Sequence, residues 1–141
     1  MVSLGKHAKY EILEAIRQVE MDTTAEIRVH VKPRCAGDAL TEAKKVFRRL
    51  GMHRTKERSG VLIFVALQSH CFAIIGDEGI HQKVGDAFWN ATRDEMTKLF
   101  SEGRKIEGVL AGVRSAGEKL KVHFPATRDN PNELTNEVSE G

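Results

Sequence analysis

Two strand-like runs separated by a pair of polar residues constrain this chain more than any other feature. Val61 to Leu67 reads VLIFVAL and His70 to Ile75 reads HCFAII, with only Gln68 and Ser69 between them. Segments so closely joined can pair only as an antiparallel hairpin. The hairpin brings the glycine-punctuated acidic stretch Gly76-Asp77-Glu78-Gly79-Ile80, and Gly85-Asp86 beyond it, back toward Arg58 and Ser59. Carboxylates gathered on a loop at one end of a sheet are what a hard divalent cation or a phosphate-processing site needs. The first run is apolar throughout, which predicts a strand covered on both faces.

Upstream, Ala8 to Val19 places Ile12, Leu13, Ile16 and Val19 at helical spacing, and Ala25 to Val31 alternates Ile27, Val29 and Val31 against Glu26, Arg28 and His30. This predicts a helix followed by a half-buried strand whose polar face lies at an edge or forms cross-strand ion pairs. Asp38 predicts the N-cap of a helix through Leu50, with Gly51 closing it. Strand, helix and strand in this order form a βαβ unit with parallel strands and a right-handed crossover. Asp86 is read as the cap of a helix to Phe100, and a last helix spans Ile106 to Val122. Its Gly108, Gly112 and Gly117 each cost roughly 1 kcal/mol relative to alanine unless close packing offsets them. The fold class expected is α/β: an α/β/α sandwich, Rossmann-like, around a small mixed sheet.

Length and composition bound the rest. The 141 residues, 40% of them hydrophobic and 30% charged, suit one soluble domain, and a formal charge of +2 is too small to imply a polyanionic partner. The basic stretch Lys44, Lys45, Arg48, Arg49, Arg54, Lys56, Arg58 lacks aromatic interleaving and reads as a solvated helix face, not a nucleic-acid surface. No apolar run is long enough to cross a bilayer, and the first ten residues lack a signal-peptide core. The expectation is a cytoplasmic monomer without membrane insertion, with Cys35 and Cys71 unpaired. The body is expected over 1–125. Residues 126–141, ATRDNPNELTNEVSEG, read as an acidic tail, flexible or docked, whose removal leaves the melting temperature nearly unchanged. Its Asn132-Glu133-Leu134 could dock on a protein partner.

Arg58-Ser59-Gly60-Val61-Leu62-Ile63, then Ile74-Ile75-Gly76-Asp77-Glu78-Gly79-Ile80 and Asp86, resembles the TPM domain, as do Thr23-Thr24-Ala25-Glu26-Ile27 early and Glu102-Gly103 and Gly108 late. The resemblance covers residues 8 to 124. The chain departs from the family pattern in Ser59 for a common Asn, Ala25 for Gly or Ser, and Gly-Asp-Glu-Gly for Gly-Tyr-Gly, and it looks like the short soluble branch. The resemblance implies an α/β/α fold, and it implies acid phosphatase activity or divalent-cation binding as found in some relatives.

Topology places Thr23, Thr24, Glu26, Arg58, Asp77, Glu78 and Asp86 on one rim of the sheet. The metal ligands expected are Asp77, Glu78, Asp86 and Glu26, the cation Ca²⁺ or Mg²⁺, and Arg58 a phosphate holder, with no catalytic residue assigned and no organic cofactor. Bland alternatives stand beside each: a solvated turn for Asp77 and Glu78, a helix cap for Asp86, and ordinary ion pairing for Arg58. Three functions remain open: a cation-binding domain, a hydrolase in which metal-bound water attacks a phosphoryl group, and a metal-independent protein-interaction module.

Overall fold

The computed structural model describes residues 5–69, 71–126 and 138–140. His70 and the tail positions carrying Asn132-Glu133-Leu134 lie outside the described residues. Helix α1 (Lys6–Glu20) leads to β1 (Glu26–Lys32), α2 (Ala39–Arg49), a 3₁₀ turn (Met52–Arg54), β2 (Gly60–Ala66) and β3 (Cys71–Gly76). Then follow α3 (Glu78–Val84), a 3₁₀ turn (Asp86–Trp89), α4 (Asn90–Ser101), α5 (Lys105–His123) and β4 (Val138–Glu140). Among the described residues no helix is long and apolar enough to cross a membrane.

The sheet is mixed, in the order β3-β2-β1-β4. β1 and β2 run parallel from Glu26↔Gly60 to Lys32↔Ala66, and β3 returns antiparallel to β2 from Val61↔Gly76 to Ala66↔Cys71. The βαβ unit and the hairpin read from the sequence are therefore present. Alternation along the strands sorts two cores. Ile27, Val29, Val31, Val61, Ile63 and Val65 face α1, α4 and α5, whereas Leu62, Phe64 and Ala66 face Ala43, Val46 and Phe47 of α2. All seven residues of β2 are buried, as a strand covered on both faces requires.

The glycines of α5 do bring helices together. A methyl group on Gly108 would meet Phe100 at 2.8 Å, one on Gly112 would meet Met96 Sδ at 2.6 Å, and one on Gly117 would meet Val19 at 2.4 Å. Thus α5 lies against α4 through the first two and against α1 through the third, and close packing offsets the poor helix propensity of glycine.

Three expectations change. β1 is not an edge strand, because β4 runs parallel to it through Val29↔Val138, His30↔Ser139 and Val31↔Glu140. Glu26 and His30 are only 4% and 2% exposed, where the alternating pattern puts them on a polar face, and His30 meets Ser139 of β4. The stretch after β3 is not a loosened loop, since Asp77 accepts the Glu78 N–H and starts α3 at once. Asp86 caps no helix through its side chain; it opens the 3₁₀ turn before α4.

Candidate functional site

The hairpin does return Asp77 to Arg58, and the two form a bidentate pair. Arg58 Nε donates to Asp77 Oδ2 at 2.7 Å and Nη2 to Oδ1 at 2.9 Å, while Nη1 lies 3.2 Å from Glu78 Oε2. The fork geometry of a guanidinium on a carboxylate is among the stronger polar contacts available to a protein. Arg58 holds a left-handed backbone (φ 53°), uncommon for a residue with a side chain. Its surroundings hold it there. Asp77 N–H donates to Gly60 O, Gly79 N–H donates to Arg58 O, and Ser59 N–H donates to Thr55 Oγ1. Gly79 must be glycine, because a methyl group there would sit 2.2 Å from the Glu57 carbonyl oxygen.

The remaining residues expected on the rim separate. Thr23 Oγ1 donates to the Phe124 carbonyl at 2.6 Å and Thr24 N–H to the same oxygen, so both fasten the start of β1 to the end of α5. Glu26 opposes Gly60 across the parallel pair, and Gly60 bonds Asp77 on its other side, so Glu26 and Asp77 share one row across the sheet with Gly60 between them. Asp86 stands apart, its side chain 90% exposed and Oδ1 3.4 Å from His81 Nδ1. Among the described residues no three His, Cys, Asp or Glu side chains converge as a metal site would require. The guanidinium of Arg58 occupies the position beside Asp77 and Glu78 that a cation would take.

A half-buried carboxyl and a buried imidazole, neither among the residues expected at the site, carry the strongest electrostatic perturbations. Glu20, the last residue of α1, accepts the Ile27 N–H through Oε2 at 2.8 Å, while its buried Oε1 has no partner among the described residues. Burial, with a further contribution from Glu26, pushes its carboxyl up to about 7 against the relief of the Ile27 bond. His30 Nδ1 lies 2.8 Å from Ser139 Oγ, and Oγ is 3.4 Å from the Val29 carbonyl. If Ser139 donates to Val29, Nδ1–H donates to Ser139 and the buried, unpartnered Nε2 is the bare nitrogen. Burial first, then Arg49, Lys32 and Arg28, holds the imidazole down at about 4.

The two groups act on stability with opposite signs. Glu20, raised from 4.5 to about 7, binds its proton more tightly in the folded state and weakens the fold as pH rises through that window. His30, lowered from 6.5 to about 4, binds its proton less tightly in the folded state and weakens the fold as pH falls through its window. Between 4.5 and 6.5 the slopes oppose. Glu20→Gln is expected to leave the His30 slope uncovered, so that urea midpoints rise with pH between 4 and 6.5 more steeply than in the parent protein. A variant with the parent's profile would show that Glu20 stays ionised.

Beside the Arg58 rim a cleft of about 490 Å³ opens along the outer edge of β3. Leu40 and Lys44 of α2 form one wall, and Trp89 with Arg93 of α4 helps to form the other. Ile74, Ile75 and Gly76 are the floor, and the His81–Asp86 pair sits at the end. The sequence pattern places Lys44 on a solvated helix face. Nothing in the sequence joins it to Arg93, because helices on opposite faces of the sheet bring them together.

The family model for the TPM domain matches residues 3–119. No curated protein matches the chain. Among solved structures, the NMR structure of BA42 from the psychrophilic bacterium Bizionia argentinensis is similar over 99% of this chain and 97% of its own, at 38% identity and a TM-score of 0.92. The N-terminal domain of cg2496 from Corynebacterium glutamicum shares the fold at 16% identity and a TM-score of 0.66, over 99% of this chain and 82% of that one. With a family match over most of its length and a full-length structural relative at this identity, the chain belongs to the TPM domain family.

Proposed function

We propose that this TPM domain is a binding domain and not a hydrolase, and that its recognition surface is the cleft beside β3. The observation that carries this reading is the commitment of both Asp77 carboxylate oxygens to Arg58 and to the first turn of α3. A metal-dependent hydrolase needs carboxylates free to hold the ion and a cation free to steady the phosphoryl group. Here each neutralises the other, and together they tie the loop before β2 to the helix after β3. The cleft, in contrast, presents apolar surface together with two cationic side chains, the usual composition of a ligand site.

The test is turnover of p-nitrophenyl phosphate with and without millimolar Mg²⁺ or Ca²⁺. No saturable turnover above the Asp77→Asn variant is expected. Metal-dependent turnover that this variant loses would overturn the reading.

A second reading is divalent-cation binding at the Glu20 and Glu26 pair, and the unpartnered Oε1 of Glu20 favours it. A hard cation would supply that oxygen with a partner and restore the ionised carboxylate. Amide shifts of Glu26 and Ile27 on Ca²⁺ or Mg²⁺ titration, absent in Glu20→Gln, are the expected signature. An unmoved spectrum at millimolar cation would remove this second reading.

A further inference from the structure

β3 is an outer strand of the sheet, and outer strands are ordinarily guarded against pairing with other chains by a lysine, a proline or a bulge. This one carries none of them. It reads CFAIIG, pairs with β2 in unbroken register from Cys71 to Gly76, and bears no charge along its length. Recession between helices takes the place of a guard, since its C-terminal half forms the floor of the cleft walled by α2 and α4.

The ladder decides which groups point into that cleft. Asp77 N–H donates to Gly60 O, so Gly60 and Asp77 form a hydrogen-bonded pair. Antiparallel pairs alternate, which makes Leu62/Ile75 and Phe64/Ala73 hydrogen-bonded pairs as well. The N–H and C=O groups of Ile74 and Gly76 consequently point away from β2. They have no hydrogen-bond partner among the described residues. Two outward main-chain positions two residues apart are the template onto which an extended peptide adds as a further strand.

The walls specify the side chains. On an added strand, successive side chains alternate between the two faces of the sheet. One set would meet Leu40 and Lys44 on α2; the other would meet Trp89 and Arg93 at the start of α4. Lys44 has no carboxylate partner among the described residues, and Arg93 bonds only the neutral amide oxygen of Asn90, at 3.1 Å. The one carboxylate at the cleft, Asp86, is beside His81. We infer that the cleft takes an extended, acidic segment of a partner protein by strand addition to β3, with Lys44 and Arg93 receiving its carboxylates. This rests on the reading of the chain as a binding domain and adds the class of ligand and the residues that choose it.

The experiment is selection from a displayed library of random octapeptides on the intact protein, followed by ¹⁵N amide titration with the best peptide. Sequences rich in Asp and Glu with β-branched or aromatic neighbours are the expected winners. Saturable shifts should center on Ile74, Gly76, Lys44 and Arg93, with slowed hydrogen exchange at the Ile74 and Gly76 amides. The Lys44→Glu, Arg93→Glu double variant, altered only on the surface, should bind about tenfold or more weakly while its own spectrum shows an intact fold. Selection of basic peptides, of no peptides, or of peptides that shift residues elsewhere would overturn the inference. So would inorganic phosphate reproducing the shifts while the peptide leaves exchange at Ile74 and Gly76 unchanged, the mark of a small-anion pocket. Phosphatase turnover decides the binding-domain reading separately, so a failed selection without turnover sinks the strand-addition proposal alone.

Discussion

Gly79→Ala is expected to destabilise the protein by about 3 kcal/mol, lowering the melting temperature by about 10 °C. The cause is local. The new methyl group would lie 2.2 Å from the Glu57 carbonyl oxygen and 2.7 Å from that of Arg58, and both are backbone atoms that no side-chain rotation can move aside. Relief requires the turn at Arg58 to retreat from α3, which breaks the Gly79 N–H bond to Arg58 O and pulls the guanidinium from Asp77. Gly37→Ala is the matched control, since a methyl group there meets nothing within 4 Å. Thermal unfolding followed by circular dichroism compares the two, and equal melting temperatures would show that the Arg58 turn is soft and that its contacts with α3 do not hold the hairpin.

Ending the chain after Ala126 is expected to cost about 3 kcal/mol, the second large effect. A tail that merely trailed from the body would leave stability unchanged. Val138–Glu140 instead covers the outer edge of β1, where Val138 packs against the larger core and Lys9 pairs with Glu140. Removing it strands His30. Its Nδ1 would lose Ser139 while Nε2 already lacks a partner among the described residues, so the imidazole would have to rehydrate or charge. Ser139→Ala keeps β4 and removes only the hydroxyl, with its short contact to His30 and its longer ones to Arg28 and Val29, and should cost about 1 kcal/mol. Chemical denaturation of the three proteins measures both numbers, and a truncated chain as stable as the parent would show that β4 contributes nothing to the fold.

Much of the framework was legible because local patterns carry it. A short, fully apolar and β-branched run reads as a strand covered on both faces, two polar residues between strands force a hairpin, and Asp38 at the head of an amphipathic segment caps a helix. The same reasoning identified Arg58 and Asp77 as neighbours, since the hairpin length requires it, and it kept open ordinary pairing for Arg58. It misjudged Glu26 and His30, because alternation along β1 records side-chain polarity and not what covers the strand. For His30 part of that cover comes from β4, more than 100 residues away in sequence. Glu20 gave no signal at all. A glutamate at the end of a helix is ordinary until its carboxylate is found sealing the Ile27 N–H.

The amino-acid sequence by itself determined the order of elements from α1 to β3 and the two long helices that follow, the parallel and antiparallel pairings of the first three strands, and membership of a family. Each depends on periodicity, turn length or short motifs, which act between near neighbours. Tertiary structure alone decided which charges are neutralised, which carboxyl and imidazole are desolvated, and where a strand edge is left open between cationic walls. Those properties depend on distances across the sheet and on the exclusion of water, and neither is written in any local run of residues.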